Sequence, residues 1–86
     1  MPNELEKAQI MFKLARKDNW GAKYDRLEHF KRFPNLKQII KELEKTNQLI
    51  IKKKPNFIGI SLNTEYKKEI LNFITTQIPN LKEMIN

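Results

Sequence analysis

The chain has 86 residues, with no cysteine, one histidine, and 17 basic against 10 acidic residues, which gives a net charge of +7. This length predicts one domain, residues 1–86, and the composition excludes disulfides and any metal site built from cysteine or from several histidines. No apolar run approaches the roughly 18 residues of a membrane span, and the polar, acidic start is unlike a secretory signal, so we expect a cytoplasmic protein with no membrane partner.

The positive charge is unevenly distributed along the chain. Residues 1–34 carry a net charge of +3 and residues 35–62 a net charge of +4, whereas three basic and three acidic residues balance over residues 63–86. Excess positive charge attracts polyanions such as nucleic acids. We therefore expect the first two thirds of the chain to bind a polyanion and the neutral last third to serve another purpose.

A first helix is predicted from about Asn3, because apolar residues recur there at helical spacing. Its main apolar face consists of Leu5, Ala8, Met11, Phe12 and Ala15. Ile10 and Leu14 fall roughly opposite that face, and a helix that is apolar on two sides must bury both. The turn-forming residues 18–21 predict the end of this helix.

Two further helices are predicted, one on either side of Pro34. The first of them is a short helix indicated by the spacing of Tyr24, Leu27 and Phe30. The next begins after Asn35, a good N-cap, and covers residues 36–46. Its core stripe consists of Leu36, Ile39, Ile40 and Leu43. Asn47 tolerates the left-handed backbone conformation and stands where this third helix should stop.

A β-hairpin and a final helix complete the pattern. Residues 49–51 form one β-rich run, residues 58–62 alternate apolar with small or polar residues, and a basic turn joins the two. Asn63 or Thr64 caps the last helix, so residues 64–86 comprise a C-terminal helix and tail.

The stretch from Leu36 to Leu62, LKQIIKELEKTNQLIIKKKPNFIGISL, resembles the winged helix-turn-helix superfamily of small prokaryotic DNA-binding regulators. In that family a helix ending in a leucine-glutamate-lysine-like run is followed by a turn residue, an apolar pair, a basic wing and a strand. This chain departs from the pattern at Asn47, where glycine is usual. The resemblance implies an α+β, mainly helical fold of the winged helix-turn-helix class. Its element order is helix-helix-helix-strand-strand-helix, with the hairpin as the wing.

The third helix and the wing carry the candidate DNA contacts. With the core stripe facing inward, Gln38 and Lys41 point outward and Lys37 flanks them. Glutamine can pair with adenine, and lysine can bind guanine or phosphate. The predicted DNA-binding residues are Lys31, Arg32, Asn35, Lys37, Gln38, Lys41, Lys52, Lys53 and Lys54. Lys23 and Arg26, at the start of the second helix, are further candidates for phosphate contact.

We predict sequence-specific or semi-specific binding of double-stranded DNA by a transcriptional regulator. The chain has no catalytic constellation and no Gly-rich phosphate loop, so we expect neither an enzyme nor a cofactor. Two alternatives stay open. One is a winged helix that binds RNA through Trp20, Tyr24 and the basic surface, and the other is a protein-interaction module whose basic residues only keep it soluble.

The aromatic residues and the histidine are predicted to be structural. Trp20, Tyr24, Phe30, Phe33 and Phe57 are expected to pack in or over the core of so small a domain. His29 is expected to be a partly exposed structural residue. Gly59, inside the second strand of the hairpin, indicates a bulge or close packing.

The last helix predicts an assembly of two copies. Its apolar side chains spread over a wider arc than one core requires, and they are Tyr66, Ile70, Leu71, Phe73, Ile74 and Ile78. A contiguous exposed apolar patch is uncommon on a small monomer, so we predict a homodimer. The predicted interface contains Ile10, Leu14, Leu71, Ile74, Ile78 and Leu81. The alternative is that the tail, with Leu81, Met84 and Ile85, folds back over the patch within one chain.

Overall fold

Three helices and a three-stranded antiparallel sheet make up residues 4–78, the part of the chain that the structure, a computed structural model, describes. In chain order the elements are α1 (Glu4–Arg16), β1 (Asp25–Arg26), a 3₁₀ turn (Leu27–Phe30), α2 (Leu36–Lys45), β2 (Leu49–Lys53), β3 (Ile58–Leu62), a second 3₁₀ turn (Thr64–Tyr66) and α3 (Lys67–Gln77). The domain is α+β and mainly helical, as the sequence predicts. None of the helices within residues 4–78 is long and apolar enough to cross a membrane.

The segment predicted as the second helix contains a strand instead. β1 pairs with β3, with Asp25 opposite Ile60 and Arg26 opposite Gly59, and only the following residues coil into a 3₁₀ turn. The predicted order of three helices before the first strand is therefore wrong at this point. A two-residue strand takes its hydrogen bonds from a partner more than 30 residues later in the chain. The spacing of nearby apolar residues does not encode such a pairing.

The sheet has the order β1-β3-β2, so β3 is its central strand. β2 and β3 form the predicted hairpin, in which Leu49 pairs with Leu62 and Lys52 with Gly59. The N–H of Lys54 donates to the carbonyl of Phe57 at 2.9 Å and closes the turn. Side chains alternate between the two faces of a strand, so one face of this hairpin joins the core and the other faces outward.

The hydrophobic core lies between the helices and one face of the sheet. Its buried side chains are Ile10, Met11, Leu14, Phe30, Phe33, Ile39, Ile40, Leu43, Leu49, Ile60, Leu62, Ile70 and Ile74. α1 packs against α3 and β3, and α2 packs against β2. This packing fixes α2 beside the hairpin, with its remaining surface turned to solvent.

α1 buries both of its predicted apolar sides, because Ala8 and Met11 of the main face are buried and Phe12 and Ala15 pack against the core. Ile10 and Leu14 are fully buried within the chain, whereas Leu5 is 52% exposed. The buried face also includes Lys7, whose side chain is 15% exposed and whose ammonium lies 3.1 Å from Glu42 of α2. A lysine can bury its aliphatic part while its charge stays at the surface, so the part that Lys7 plays in this face was not predicted from apolar spacing. Ile10 and Leu14 stabilise a single chain, which corrects their assignment to a dimer interface.

Residues with positive φ end the first two helices. Asn47 has a φ of 65°, and the N–H groups of Asn47 and Gln48 donate to the carbonyls of Glu44 and Leu43 at 3.1 and 3.0 Å. This pair of hydrogen bonds is a Schellman ending, in which a left-handed residue satisfies the last carbonyls of the helix. Asp18, with a φ of 59°, follows α1 in the same conformation. The prediction that Asn47 stops the third helix is confirmed.

The left-handed conformation of Asn47 predicts that two substitutions at this position change the stability of the domain by different amounts. Asn47→Ala should lower the free energy of unfolding by about 1–2 kcal/mol, because alanine is strained in the left-handed region. Asn47→Gly, the matched control, removes strain but adds entropy to the unfolded chain, so it should change stability by less than about 1 kcal/mol. Urea denaturation measures both values. An alanine variant as stable as the unmodified protein would contradict a strained ending.

Candidate nucleic-acid interface

The outer face of α2 presents an amide between two ammonium groups. Lys37, Gln38 and Lys41 are all exposed, while Ile39 and Leu43 on the opposite side are buried. The strong separation of apolar and polar residues around the helix fixes this orientation. The structure therefore places the three predicted side chains together on one open surface.

An open groove separates this face of α2 from the hairpin and from the first 3₁₀ turn. The apolar side chains along it are Leu27, Leu36, Ile51 and Ile58. Lys37 and Lys41 border the groove on the α2 side, and Lys31 borders it at the end of the 3₁₀ turn. Lys31 also shares a shallow concavity with Lys37 and Gln38. The turn before α2 and the outer face of α2 thus form one mainly basic surface, in which the groove is also lined by Glu28 and Glu44.

The three consecutive lysines of the hairpin point to different sides. Lys53 pairs with Ile58 and lies in alternation with the core-facing residues of β2, so it shares the side of the sheet on which α2 packs. Lys52 and Lys54 have the opposite parity. The Lys52 ammonium donates to the carbonyl of Ala22 at 3.3 Å, and both ammonium groups lie 5.4 Å from the ring centroid of Tyr24. Of the three, only Lys53 therefore lies on the side of the sheet where α2 packs.

Two acidic residues near α2 are held by groups within the domain. Glu42 pairs with Lys7 across to α1. The Glu6 carboxylate accepts hydrogen bonds from the backbone N–H of Asn35 at 2.8 Å and from the Asn35 side-chain amide at 3.0 Å. Asn35 makes no capping bond to α2 with its own side chain, contrary to the expectation of an N-cap. Instead it ties the start of α2 to α1, and its half-buried amide is turned toward Glu6.

The ion pairs of the domain lie away from the predicted interface. Within residues 4–78 the paired cations are Lys7, Lys17, Lys23, Arg26 and His29. No lysine of α2 or of the hairpin has an acidic partner within ion-pair distance in that part of the chain. Lys23, a further candidate for phosphate contact, pairs with Asp18 at 3.3 Å. Within residues 4–78 the lysines of α2 and of the hairpin are therefore unneutralised, as are Lys31 and Arg32 in the turn before α2.

A second group of cations lines a concavity between α1 and the turn before α2, and of these only Arg32 was predicted from the sequence. These cations are Lys13, Arg16, Lys17 and Arg32. Burial, followed by the nearby charges of Lys17 and Arg32, lowers the pKa of Lys13. The basic residues of α1 recur at spacings of three and four, which places them on one side of a helix. That spacing is the signal that could have identified them.

Asp25 holds the segment between α1 and α2 through several hydrogen bonds. Its carboxylate, 9% exposed, lies 2.6 Å from the His29 ring and 3.2 Å from the Lys17 ammonium. Burial by itself raises the pKa of Asp25, but hydrogen bonds from His29, Lys17 and the backbone N–H of Arg26 outweigh it, and the pKa is lowered. His29 is half exposed and serves this structural contact, as predicted. No group of three or more potential metal ligands occurs among the described residues.

Three of the aromatic residues occupy the predicted core, and two do not. Phe30 and Phe33 are buried, and Trp20 packs against the core from its edge. Tyr24 and Phe57 lie on the outer face of the sheet, so their assignment to the core is wrong. The missed strand β1 is the reason, because strand alternation turns Tyr24 outward when a helix would have turned it inward.

Gly59 is required by the ring of Tyr24. A Cβ atom at Gly59 would lie 2.6 Å from Cδ1 and 3.1 Å from Cγ of that ring. The glycine predicted from the sequence as a site of close packing is therefore confirmed, and the ring lies directly over the strand.

Of the residues predicted for a dimer interface, some are buried in the core of one chain and others lie partly at its surface. Ile74 is 1% exposed and belongs to the core together with Ile10 and Leu14. Leu71 and Ile78 are half-buried, and Leu81 lies outside the described residues. Leu71 lines a cleft between α1 and α3 with Phe12 and Trp20. The homodimer stays a prediction. Its candidate interface is now this cleft, because Ile10, Leu14 and Ile74 are buried within one chain.

The contact between Gly59 and Tyr24 predicts a non-additive pair of substitutions. Gly59→Ala should lower the free energy of unfolding by about 1–3 kcal/mol, because the ring must move. In a Tyr24→Ala background the same change should cost nothing or stabilise the strand slightly, since alanine is better than glycine within a strand. Thermal unfolding of the four proteins in the double-mutant cycle measures the coupling. Equal costs in both backgrounds would show that the ring does not lie over Gly59.

Comparison of the chain with protein-family models, with curated protein sequences and with solved structures finds no match in any of the three. What the chain can do must therefore be argued from the positions and charges of its own side chains.

Proposed function

We propose that this chain is a winged helix-turn-helix protein that binds double-stranded DNA, with α2 as the recognition helix, and that it serves in transcriptional regulation. The observation that carries the proposal is the exposed face of α2. Lys37, Gln38 and Lys41 lie together there, and within residues 4–78 neither lysine has an acidic partner. An α-helix fits the major groove of DNA, where amide and ammonium groups can reach base edges.

The order of the elements supports the winged-helix interpretation. α2 leads through three residues into the β2–β3 hairpin, which is the position of a wing. The 3₁₀ turn Leu27–Phe30 precedes α2 and occupies the place of the first helix of a helix-turn-helix. In such motifs the second helix enters the major groove and the first crosses the backbone.

Each basic group has a proposed role that follows from its position. Gln38 reads a base, because a glutamine amide can bond adenine through two atoms. Lys31 and Arg32 precede the recognition helix, Lys53 lies on the side of the sheet where that helix packs, and all three neutralise phosphates of the backbone. Asn35, engaged by Glu6, positions the start of α2 and is left out of the proposed contacts.

Removing charge from α2 should change the salt dependence of DNA binding by a defined amount. Each lysine that neutralises a phosphate contributes about −0.9 to the slope of log affinity against log salt, so Lys37→Ala with Lys41→Ala should reduce the slope by nearly two units. Lys68→Ala, at an exposed lysine of α3 outside the proposed interfaces, is the control and should leave the slope unchanged. Gln38→Ala should keep the slope but relax the preference at one base position. Fluorescence anisotropy with a selected duplex measures all three, and an unaltered slope in the α2 variant would reject α2 as the recognition helix.

Two recognition helices on one duplex would require the homodimer. If the cleft of Phe12, Trp20 and Leu71 is its interface, Leu71→Glu should shift the protein to monomer, because a buried carboxylate without a partner is costly. Leu5→Glu, at an exposed apolar site elsewhere on α1, is the control. Sedimentation equilibrium at micromolar concentrations measures the mass. An unmodified protein that stays monomeric throughout that range contradicts the dimer.

A further inference from the structure

Five side chains form a compact group on the outer face of the sheet, which we call the sheet-face cluster. Its members are Tyr24, Arg26, Lys52, Lys54 and Phe57. Arg26 and Lys52 both pair with Gly59, whose outward direction faces away from the core. Tyr24, Lys54 and Phe57 are each two residues from one of these three positions, so their side chains point to the same side of the sheet. At Phe57, which also lines the groove beside Lys37, the cluster adjoins the α2 side of the sheet, whereas its other four members do not line that groove.

The two aromatic rings of the cluster form a partly exposed platform. Their centroids are 5.9 Å apart and their planes differ by 30°. Tyr24 is 37% exposed, although a large aromatic side chain in a domain of this size would normally be used in the core. The missing side chain at Gly59 lets the Tyr24 ring lie directly on the strand. The sheet therefore supports the ring from below, and the ring need not move to receive a ligand.

Three cations surround the platform. The Arg26 guanidinium lies 4.4 Å from the Phe57 centroid, and the Lys52 and Lys54 ammonium groups each lie 5.4 Å from the Tyr24 centroid. Glu28, at 3.4 Å from Arg26, is the one carboxylate within ion-pair distance of these cations in residues 4–78, and that pair is about half exposed. The cluster keeps a net positive charge beside open aromatic surface.

We propose that the sheet-face cluster is a second nucleic-acid site, which binds an unpaired strand of DNA or RNA. Unpaired bases stack on Tyr24 and Phe57, and Arg26, Lys52 and Lys54 neutralise the phosphates that flank them. Bases in a duplex are already stacked on one another and offer only their edges, so this surface distinguishes an unpaired strand from a duplex. The assignment does not depend on duplex binding by α2.

The test uses the full chain and labelled oligothymidylate and oligouridylate of roughly 15 nucleotides, a length within reach of one small domain. Tyr24→Leu keeps an apolar side chain but loses the aromatic face, and it should weaken binding of the single strand about tenfold. Tyr24→Phe, the matched control, keeps the face and should bind like the unmodified protein. Lys52→Ala with Lys54→Ala should lower the salt slope by about 0.7 for each lysine.

Duplex and single strand are measured in parallel, so that the two proposals fail separately. Lys41→Ala, an α2 variant at a residue that does not adjoin Phe57, should leave single-strand affinity unchanged, whatever it does to duplex binding. Stronger binding of oligouridylate than of oligothymidylate would support the site and identify RNA as its ligand through the 2′-hydroxyl. Similar binding of the two would support it for either strand. A Tyr24→Leu variant that melts normally and binds both oligonucleotides as tightly as the unmodified protein would overturn the proposal. Single-strand affinity that falls with the α2 variant and not with the Lys52 and Lys54 variant would overturn it as well.

Discussion

β3 is hydrogen-bonded along both edges, to β1 and to β2, and its two faces serve different parts of the molecule. Ile60 and Leu62 point into the core, where they are fully buried. Gly59 and Ser61 point outward, and their small size lets the preceding loop and the Tyr24 ring lie against the strand. The Ser61 hydroxyl donates to the carbonyl of Gly21 at 3.0 Å, which holds that loop in place. The position of β1, the orientation of the hairpin and the platform on the outer face all depend on this single strand.

The acidic residues determine where the positive charge remains available. Acidic side chains are used within the domain: Glu6 fixes the start of α2, Glu42 holds Lys7, and Asp25 holds Lys17 and His29. These contacts join α1 to the elements that follow it. Positive charge without an acidic partner within residues 4–78 therefore remains on the outer face of α2, on the outer face of the sheet and in the concavity that Lys13, Arg16 and Arg32 line. The proposed duplex and single-strand sites lie on the first two of these surfaces.

The elements that depend on local sequence were predictable, and those that depend on distant partners were not. The stripe of α2, the left-handed residue Asn47 and the alternation of residues 58–62 give the correct helix and hairpin, because each is encoded by neighbouring residues. β1 was not predicted, because its partner strand β3 lies more than 30 residues later in the chain. The buried residues of α1 were identified from apolar spacing, but the contribution of Lys7, partly buried by its aliphatic chain, was not.

In the candidate site, too, the residues fixed by local sequence were predictable and those fixed by distant strand pairing were not. Lys37, Gln38 and Lys41 follow from helical periodicity once the core stripe is known. The separation of Lys53 from its two neighbours follows from the pairing register, which the sequence does not specify to within one residue. The position of Tyr24 depends on the missed strand, so the aromatic platform could not be anticipated.

The use of Asp18 and Asn47 where helices commonly end in glycine has a consequence for the denatured chain. Only two glycines occur in 86 residues, and neither stands at a helix end of this kind. Glycine gives an unfolded backbone more accessible conformations than any other residue, and aspartate or asparagine in the same place gives fewer. The unfolded ensemble is accordingly narrower, and less conformational entropy is lost on folding. The small size of the chain limits the apolar surface that it can bury. Part of the stability of the folded state therefore comes from the lower conformational entropy of the unfolded chain.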